Sequence, residues 1–150
     1  WIIHTRTEER PPVWIAKGAV IENSLLADGC EIANGARVER SILSPGVKVG
    51  AGAIIRESIL LTSTRVEAGA VVERTITDKN VVIADHVKIG AIALTDEPTI
   101  TMVGKNSIVP AGYVIEPGAI IGTDVIPEDY SSNRVRSEDY IQTKRLAHEV

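Results

Sequence analysis

Aliphatic residues recur along this chain at a spacing that suits neither an α-helix nor an ordinary strand. In rows of 17 residues, Ile15, Ile32, Val49, Val66 and Ile83 share one column, and Ile21, Val38, Ile55, Val72 and Ile89 share a second. A third column runs Leu26, Leu43, Leu60, Thr77. Within a row the steps are six, six and five (Ile32, Val38, Leu43, Val49), so each row is three near-hexapeptides, one shortened by a residue. Units repeated at a fixed period bury their apolar sides by stacking on one another.

The pattern predicts an all-β fold, a left-handed parallel β-helix shaped as a three-sided prism. Each hexapeptide supplies a short strand and a corner. Gly18, Gly35, Gly52 and Gly69 mark one corner, followed by a column of small residues, Ala19, Ala36, Ala53 and Ala70. The fifth row substitutes His86 and Val87. A second small column holds Ser24, Ser41, Ser58 and Thr75. Coils stacked about 4.8 Å apart turn each column into a ladder of like side chains. Left-handed winding comes with the hexapeptide motif and departs from the usual right-handed crossover.

The same pattern divides the chain. Residues 1–14 form a lead-in in which Pro11-Pro12 bars regular pairing and Trp14 covers the first coil. The β-helix occupies 15–126. It is interrupted at 91–102, "AIALTDEPTITM", by a loop or elongated coil, and hexads resume with Val103, Val109, Ile115 and Ile121. Tyr113 falls where a small inward residue belongs and implies local widening. Residues 127–150 lose the pattern and are expected to form an extended tail, with one short helix after Ser137, packed over the last coil. Trp1 begins in mid-pattern, which suggests a preceding segment.

Composition sharpens this picture. The chain has 150 residues, enough for one domain, and is 44% hydrophobic, yet it has no Phe and only two Trp. The apolar mass is Val, Ile, Leu and Ala, as a narrow prism requires. A net charge of -4, with no basic run, argues against a nucleic-acid groove or an anionic membrane surface as partner. No apolar run approaches the roughly 20 residues of a membrane span. One cysteine rules out an internal disulfide, and with no signal peptide in view a cytoplasmic protein is expected.

Candidate chemistry is sparse. His4, His86 and His148 lack metal-ligand spacing, so no metal site is expected. His86 is the one prism histidine available as a base for acyl transfer, although a solvated corner histidine is the simpler reading. Cys30 shares a column with Val13, Val47, Thr64 and Val81 and is read as core. No phosphate loop, serine elbow or carboxylate pair is found, so no catalytic residue is assigned and no cofactor is expected in this domain. Two features suggest binding. Leu25, Ile42, Ile59 and Ile76 each precede an inward residue, so they must point outward as an apolar stripe, extended by Ile54 and Val71. Such a stripe marks an oligomer or domain interface. Lys79 and Lys105 stand beside the interruption, among outer charges that include Lys17, Arg37, Arg56, Arg65 and Lys88.

Three segments together, "RTEERPPVWI", the "NSLLADGCEI" and "GARVERSILSPGVKVGAGAIIRESILL" rows, and "TITMVGKNSIVPAGYVI", resemble the carboxyl-terminal domain of the glucose-1-phosphate adenylyltransferase family over residues 5–122. That family joins a nucleotidyltransferase domain to a left-handed β-helix and makes ADP-glucose and pyrophosphate from ATP and glucose 1-phosphate, for glycogen or starch synthesis. The resemblance implies that the catalytic loop and the magnesium carboxylates belong to the amino-terminal domain, so this chain alone is not expected to turn over substrate. It further implies that the β-helix serves homo-oligomer assembly and control by phosphorylated metabolites, at a seam with the chain's own catalytic domain. Activator lysines of the plant and cyanobacterial branch fall in segments similar to "TDKNVVI" and "TMVGKNSIVPAG", which makes Lys79 and Lys105 the expected phosphate-effector residues. The insertion between them is shorter than in plant relatives, and the chain runs past the plant terminus. A nucleotidyltransferase acting on another sugar 1-phosphate, a trimeric acyltransferase and a ligand-free scaffold are the competing readings.

Overall fold

A computed structural model describes residues 9–91 and 99–145. The short strands of those residues assemble into three parallel sheets of six, seven and seven strands, the faces of one prism. The first face stacks Trp14–Ile15, Glu31–Ile32, Lys48–Val49, Arg65–Val66, Val82–Ile83 and Ile108–Val109. The second runs from Val20–Glu22 through Arg37–Glu39, Ile54–Arg56, Val71–Glu73, Lys88–Ile89 and Val114–Ile115 to Arg134–Val135. The third runs from Leu25–Leu26 through Ile42–Leu43, Ile59–Leu60, Thr75–Thr77, Thr101–Val103 and Ile120–Ile121 to Tyr140–Ile141. This is the parallel solenoid expected of the left-handed β-helix, and the core is its three inner ladders.

The register follows the sequence columns. Ile32 pairs with Val49 and Val49 with Val66, while Val38 pairs with Ile55 and Leu43 with Leu60. These inward residues are essentially inaccessible, while most of their strand neighbours face solvent, Glu39 being a buried exception. Period-two alternation thus operates within strands of two or three residues.

Each corner needs a residue in the left-handed region. Glycine supplies it at Gly18, Gly35, Gly52 and Gly69, but Ser63, Asn80, Asn106 and Asp124 adopt φ near 60° at a second corner, and Asn23, Arg40, Glu57 and Arg74 adopt φ of 43–49° at the third. The serine column exists to serve that third corner. The Ser58 hydroxyl donates to the Arg56 carbonyl at 2.6 Å and accepts the Thr75 amide at 3.1 Å, and Ser41 does the same for Glu39 and Ser58 at 2.7 and 3.1 Å. A small hydroxyl here satisfies backbone groups that the corner removes from the ladder.

Several expectations require correction. The interruption is narrower than 91–102, because Thr101 and Met102 are already rungs, paired with Thr75 and Ile76. Residues 92–98 lie outside the described part of the chain. Trp14 does not cover the first coil; it occupies an outward position opposite Glu31 and is 57% exposed. The region after 126 is not a patternless tail. Pro127–Asp129 forms a 3₁₀ turn, after which Arg134–Val135 and Tyr140–Ile141 add rungs to two faces. The helix expected after Ser137 does not appear among the described residues up to 145. Tyr113, anomalous in sequence, packs edge-on against Tyr130 with ring centroids 5.3 Å apart, and the Tyr130 hydroxyl donates to the Ile108 carbonyl at 3.1 Å. The two rings lie at the end of the narrow core, where no further strand follows Ile108–Val109 on the first face among the described residues.

Candidate functional site

Lys79 and Lys105, far apart in sequence, occupy the same corner on neighbouring coils. The backbone at that corner is one continuous ladder. Gly29 donates to the Pro11 carbonyl at 2.7 Å, Gly46 to Asp28 at 3.0 Å, Ser63 to Pro45 at 3.1 Å, Asn80 to Thr62 at 2.9 Å, Asn106 to Lys79 at 2.9 Å and Asp124 to Lys105 at 2.7 Å. Side chains reinforce it: Asn80 donates to Asn106 at 3.1 Å and Asn106 to Asp124 at 2.8 Å. The lysines therefore project from a rigid edge about 4.8 Å apart at the backbone.

They line a concavity of about 490 Å³ together with Arg10, Asp28, Pro45, Thr62, Ser63 and Asn80. Three cations face one carboxylate, so the local charge is positive on a chain that is acidic overall. Arg10 reaches in from the lead-in and donates to the Ser63 hydroxyl at 3.3 Å. Sequence reasoning missed Arg10 because it lies outside the repeat. Several other outer cations are committed elsewhere, Arg37 and Arg56 to Glu39, Arg56 also to Glu73, Lys48 to Glu31, and Arg65 to Glu67, whereas Lys17 and Lys88 have no ion pair among the described residues. No ion pair to Lys79 or Lys105 is found among the described residues. Lys79 and Lys105, ammonium groups in a half-enclosed polar site with no ion pair among the described residues, are suited to an anion such as phosphate.

The predicted stripe is a single ladder on the third face. Leu25, Ile42, Ile59 and Ile76 are consecutive rungs, and the register continues through Met102 and Ile120 to Tyr140. Leu25 is 69% exposed, Met102 45% and Tyr140 57%. The last three rungs escaped sequence reasoning because the period of 17 is lost: Ile76 pairs with Met102, Met102 with Ile120 and Ile120 with Tyr140, at three unequal and longer steps. Ile54 and Val71 do not extend this stripe; they pair with Arg37 and Lys88 on the second face.

Among the described residues, the remaining candidates have no partner groups for catalysis. His86 sits exposed at a corner with φ 57°, its ring lying over Gly69, and a Cβ at Gly69 would be 2.5 Å from its Nδ1. His4 and His148 lie outside the described residues. Among the described residues, no three His, Cys, Asp or Glu side chains converge as a metal site. Cys30 is buried beside the Ser44 carbonyl at 3.3 Å, and burial pushes its thiol up, away from the reactive thiolate.

The stacked hexapeptide coils match the profile of the family described as "GlmU-like, C-terminal hexapeptide" over residues 14–109. The chain belongs to that family. It is 44% identical over 150 residues to a glucose-1-phosphate adenylyltransferase of Thermomicrobium roseum, an alignment covering 94% of this chain and 35% of the relative. It is 38% identical over 152 residues to the protein of that name from Pseudothermotoga lettingae, covering 96% and 36%. The Thermotoga maritima protein of that name is 35% identical over 147 residues, covering 94% and 35%. The chain thus spans about a third of the length of these relatives, and family membership holds for that portion. No helix among the described residues is long and apolar enough to cross a membrane.

Proposed function

We propose that this chain is the regulatory and assembly domain of a cytoplasmic glucose-1-phosphate adenylyltransferase, which joins ATP and glucose 1-phosphate into ADP-glucose and pyrophosphate for glycogen synthesis. Catalysis, with its magnesium, belongs to a preceding domain of the same protein. The β-helix contributes a homo-oligomer contact through the Leu25-to-Tyr140 ladder and a site for a phosphorylated metabolite at Lys79 and Lys105. The observation that carries the effector role is the placement of these two lysines on adjacent coils of one corner, facing the same concavity. Two flexible ammonium groups on a rigid edge hold phosphate as point charges, and occupancy is linked to activity if the active arrangement binds the anion more tightly.

The test uses the full-length enzyme and a panel of phosphorylated metabolites. Lys79→Ala and Lys105→Ala should each weaken the response to the activating metabolite by tenfold or more, as about 1.4 kcal/mol of lost binding would. An unchanged response in both variants would remove the effector role. Turnover of a different sugar 1-phosphate in preference to glucose 1-phosphate would move the protein to a sister nucleotidyltransferase.

A hexapeptide acyltransferase is the less favoured alternative. Its base would be His86, which stands on an exposed corner and does not line the concavity. Calorimetric binding of coenzyme A that disappears in His86→Ala would reverse this preference.

A further inference from the structure

The corner that carries Lys79 and Lys105 is occupied, from its amino-terminal side, by the side chain of Arg10. Its methylenes lie over Gly29, where an added Cβ would sit 3.0 Å from Arg10 Cδ. Its guanidinium lies over Gly46, where an added Cβ would fall 1.7 Å from Arg10 Nη1, and it ends at Ser63. On this corner the left-handed residue is glycine only at these two coils. Further along the same column it is Ser63, Asn80, Asn106 and Asp124, all with φ between 57° and 60°. The backbone therefore accepts a side chain at this position, and glycine at 29 and 46 answers to the space Arg10 fills rather than to φ alone.

We propose that Arg10 is a third cation of the anion site, and that its side chain, laid in the Gly29–Gly46 trench, straps the segment leading into the prism onto the corner that binds phosphate. The inference rests on the effector reading for the class of ligand and adds to it a residue and a route. Pro11 hydrogen bonds to Gly29 immediately after Arg10, so the strap has two attachments, one backbone and one side chain. Ser63 stands one coil from Lys79, which brings the guanidinium to the rim shared with both lysines. An anion bridging Arg10 and the lysines is bound better when the lead-in is strapped than when it is loose. By linkage, the anion then shifts the lead-in toward the strapped state by the same factor.

The experiment is a titration of the protein with inorganic phosphate against a chloride control of matched ionic strength, followed by calorimetry and by hydrogen exchange at the Arg10 and Val13 amides. Arg10→Ala should weaken phosphate binding about tenfold or more, the loss of one charge-assisted contact. Gly46→Asn places a side chain of the kind already found at Asn80 in the trench and alters no charge. It should weaken binding comparably and abolish the phosphate-dependent slowing of exchange at Arg10 and Val13. Gly52→Asn, at φ 65° with no atom near its Cβ position, controls for backbone strain and should bind as the parent does. Should Gly46→Asn fail to fold, Gly29→Ala blocks the same track against the methylenes alone. Loss of binding in the lysine variants but not in Arg10→Ala overturns the third-cation assignment and leaves the effector site standing. Weakening in Arg10→Ala with unaltered binding and exchange in the trench variants overturns the strap. No phosphate binding above the chloride control overturns both the effector site and this inference.

Discussion

Arg134 grips Glu116 one coil earlier on the second face, its Nε 2.6 Å from Oε1, while the Ser137 amide donates to Oε2 at 3.0 Å. Both carboxylate oxygens are thus used, and Glu116 is 8% exposed. This contact helps hold residues 134–141 as a coil of the prism. Asp129 assists from the other side, accepting the amides of Ile126 at 2.9 Å and Lys144 at 2.8 Å.

The clamp makes the terminal coil acid-sensitive. The Ser137 amide, followed by Arg134, holds Glu116 below the usual carboxylate range. Burial opposes the charged form of Asp129, yet the Ile126 and Lys144 amides hold it low as well. A carboxyl depressed in the folded state contributes stability above its unfolded pKa, about 4 for Glu and Asp, and loses it as pH falls through the folded value. Melting temperature should therefore be flat above about pH 5 and drop below pH 4, with the amides of 134–141 exchanging first. Glu116→Gln should melt lower at neutral pH and lose part of that acid slope. A parallel acid slope in the variant would show that the clamp does not hold the coil.

The repeat was legible because its ladders are physical: each inward column must stay aliphatic, so Ile32, Val49 and Val66 announce one another. Resemblance pointed to Lys79 and Lys105, and the fold sets these two positions on adjacent coils of one corner. What escaped lay where period and structure part. Tyr113 violates the small-residue column because it meets Tyr130, a residue beyond the repeat. Arg134 and Tyr140 extend ladders after a 3₁₀ turn has broken the period. Arg10 has no column at all, and its only trace is the glycine at positions 29 and 46.

Gly50 and Gly52 are two residues apart and should differ sharply on substitution. A Cβ at Gly50 would fall 2.6 Å from the Glu67 carbonyl carbon and 2.7 Å from the Ala68 amide nitrogen, backbone that cannot move without opening a coil. Gly52 has φ 65° and open space, so alanine there costs only the left-handed penalty. Chemical denaturation should show Gly52→Ala losing about 1 kcal/mol. Gly50→Ala should lose about 3 kcal/mol or more, within the range of overpacking and backbone strain. Equal losses would refute the close approach.

Ser58→Ala tests the hydroxyl column. The change removes no apolar area, yet it leaves the buried Thr75 amide without its 3.1 Å acceptor and the Arg56 carbonyl without its donor. Stability should fall by about 1–3 kcal/mol. Ser58→Thr, which copies the residue at Thr75 in the next coil, should recover most of it. An alanine variant as stable as the parent would mean that water replaces the hydroxyl.

The third-face ladder should govern association. Seven rungs from Leu25 to Tyr140 span about 29 Å of prism face, and an apolar strip of that length on a water-facing sheet is unusual unless something covers it. Ile59 and Met102 lie near its middle, pointing away from the core, so charging them leaves the inner ladders untouched. The double variant Ile59→Glu, Met102→Glu should keep its melting temperature within a few degrees, because surface changes of this kind cost about 0.5 kcal/mol or less each. In sedimentation of the full-length protein it should run as a smaller species than the parent. Ile54→Glu, on the second face, should leave the mass unchanged. If the double variant sediments with the parent, the subunits meet elsewhere and the ladder is covered from within one subunit.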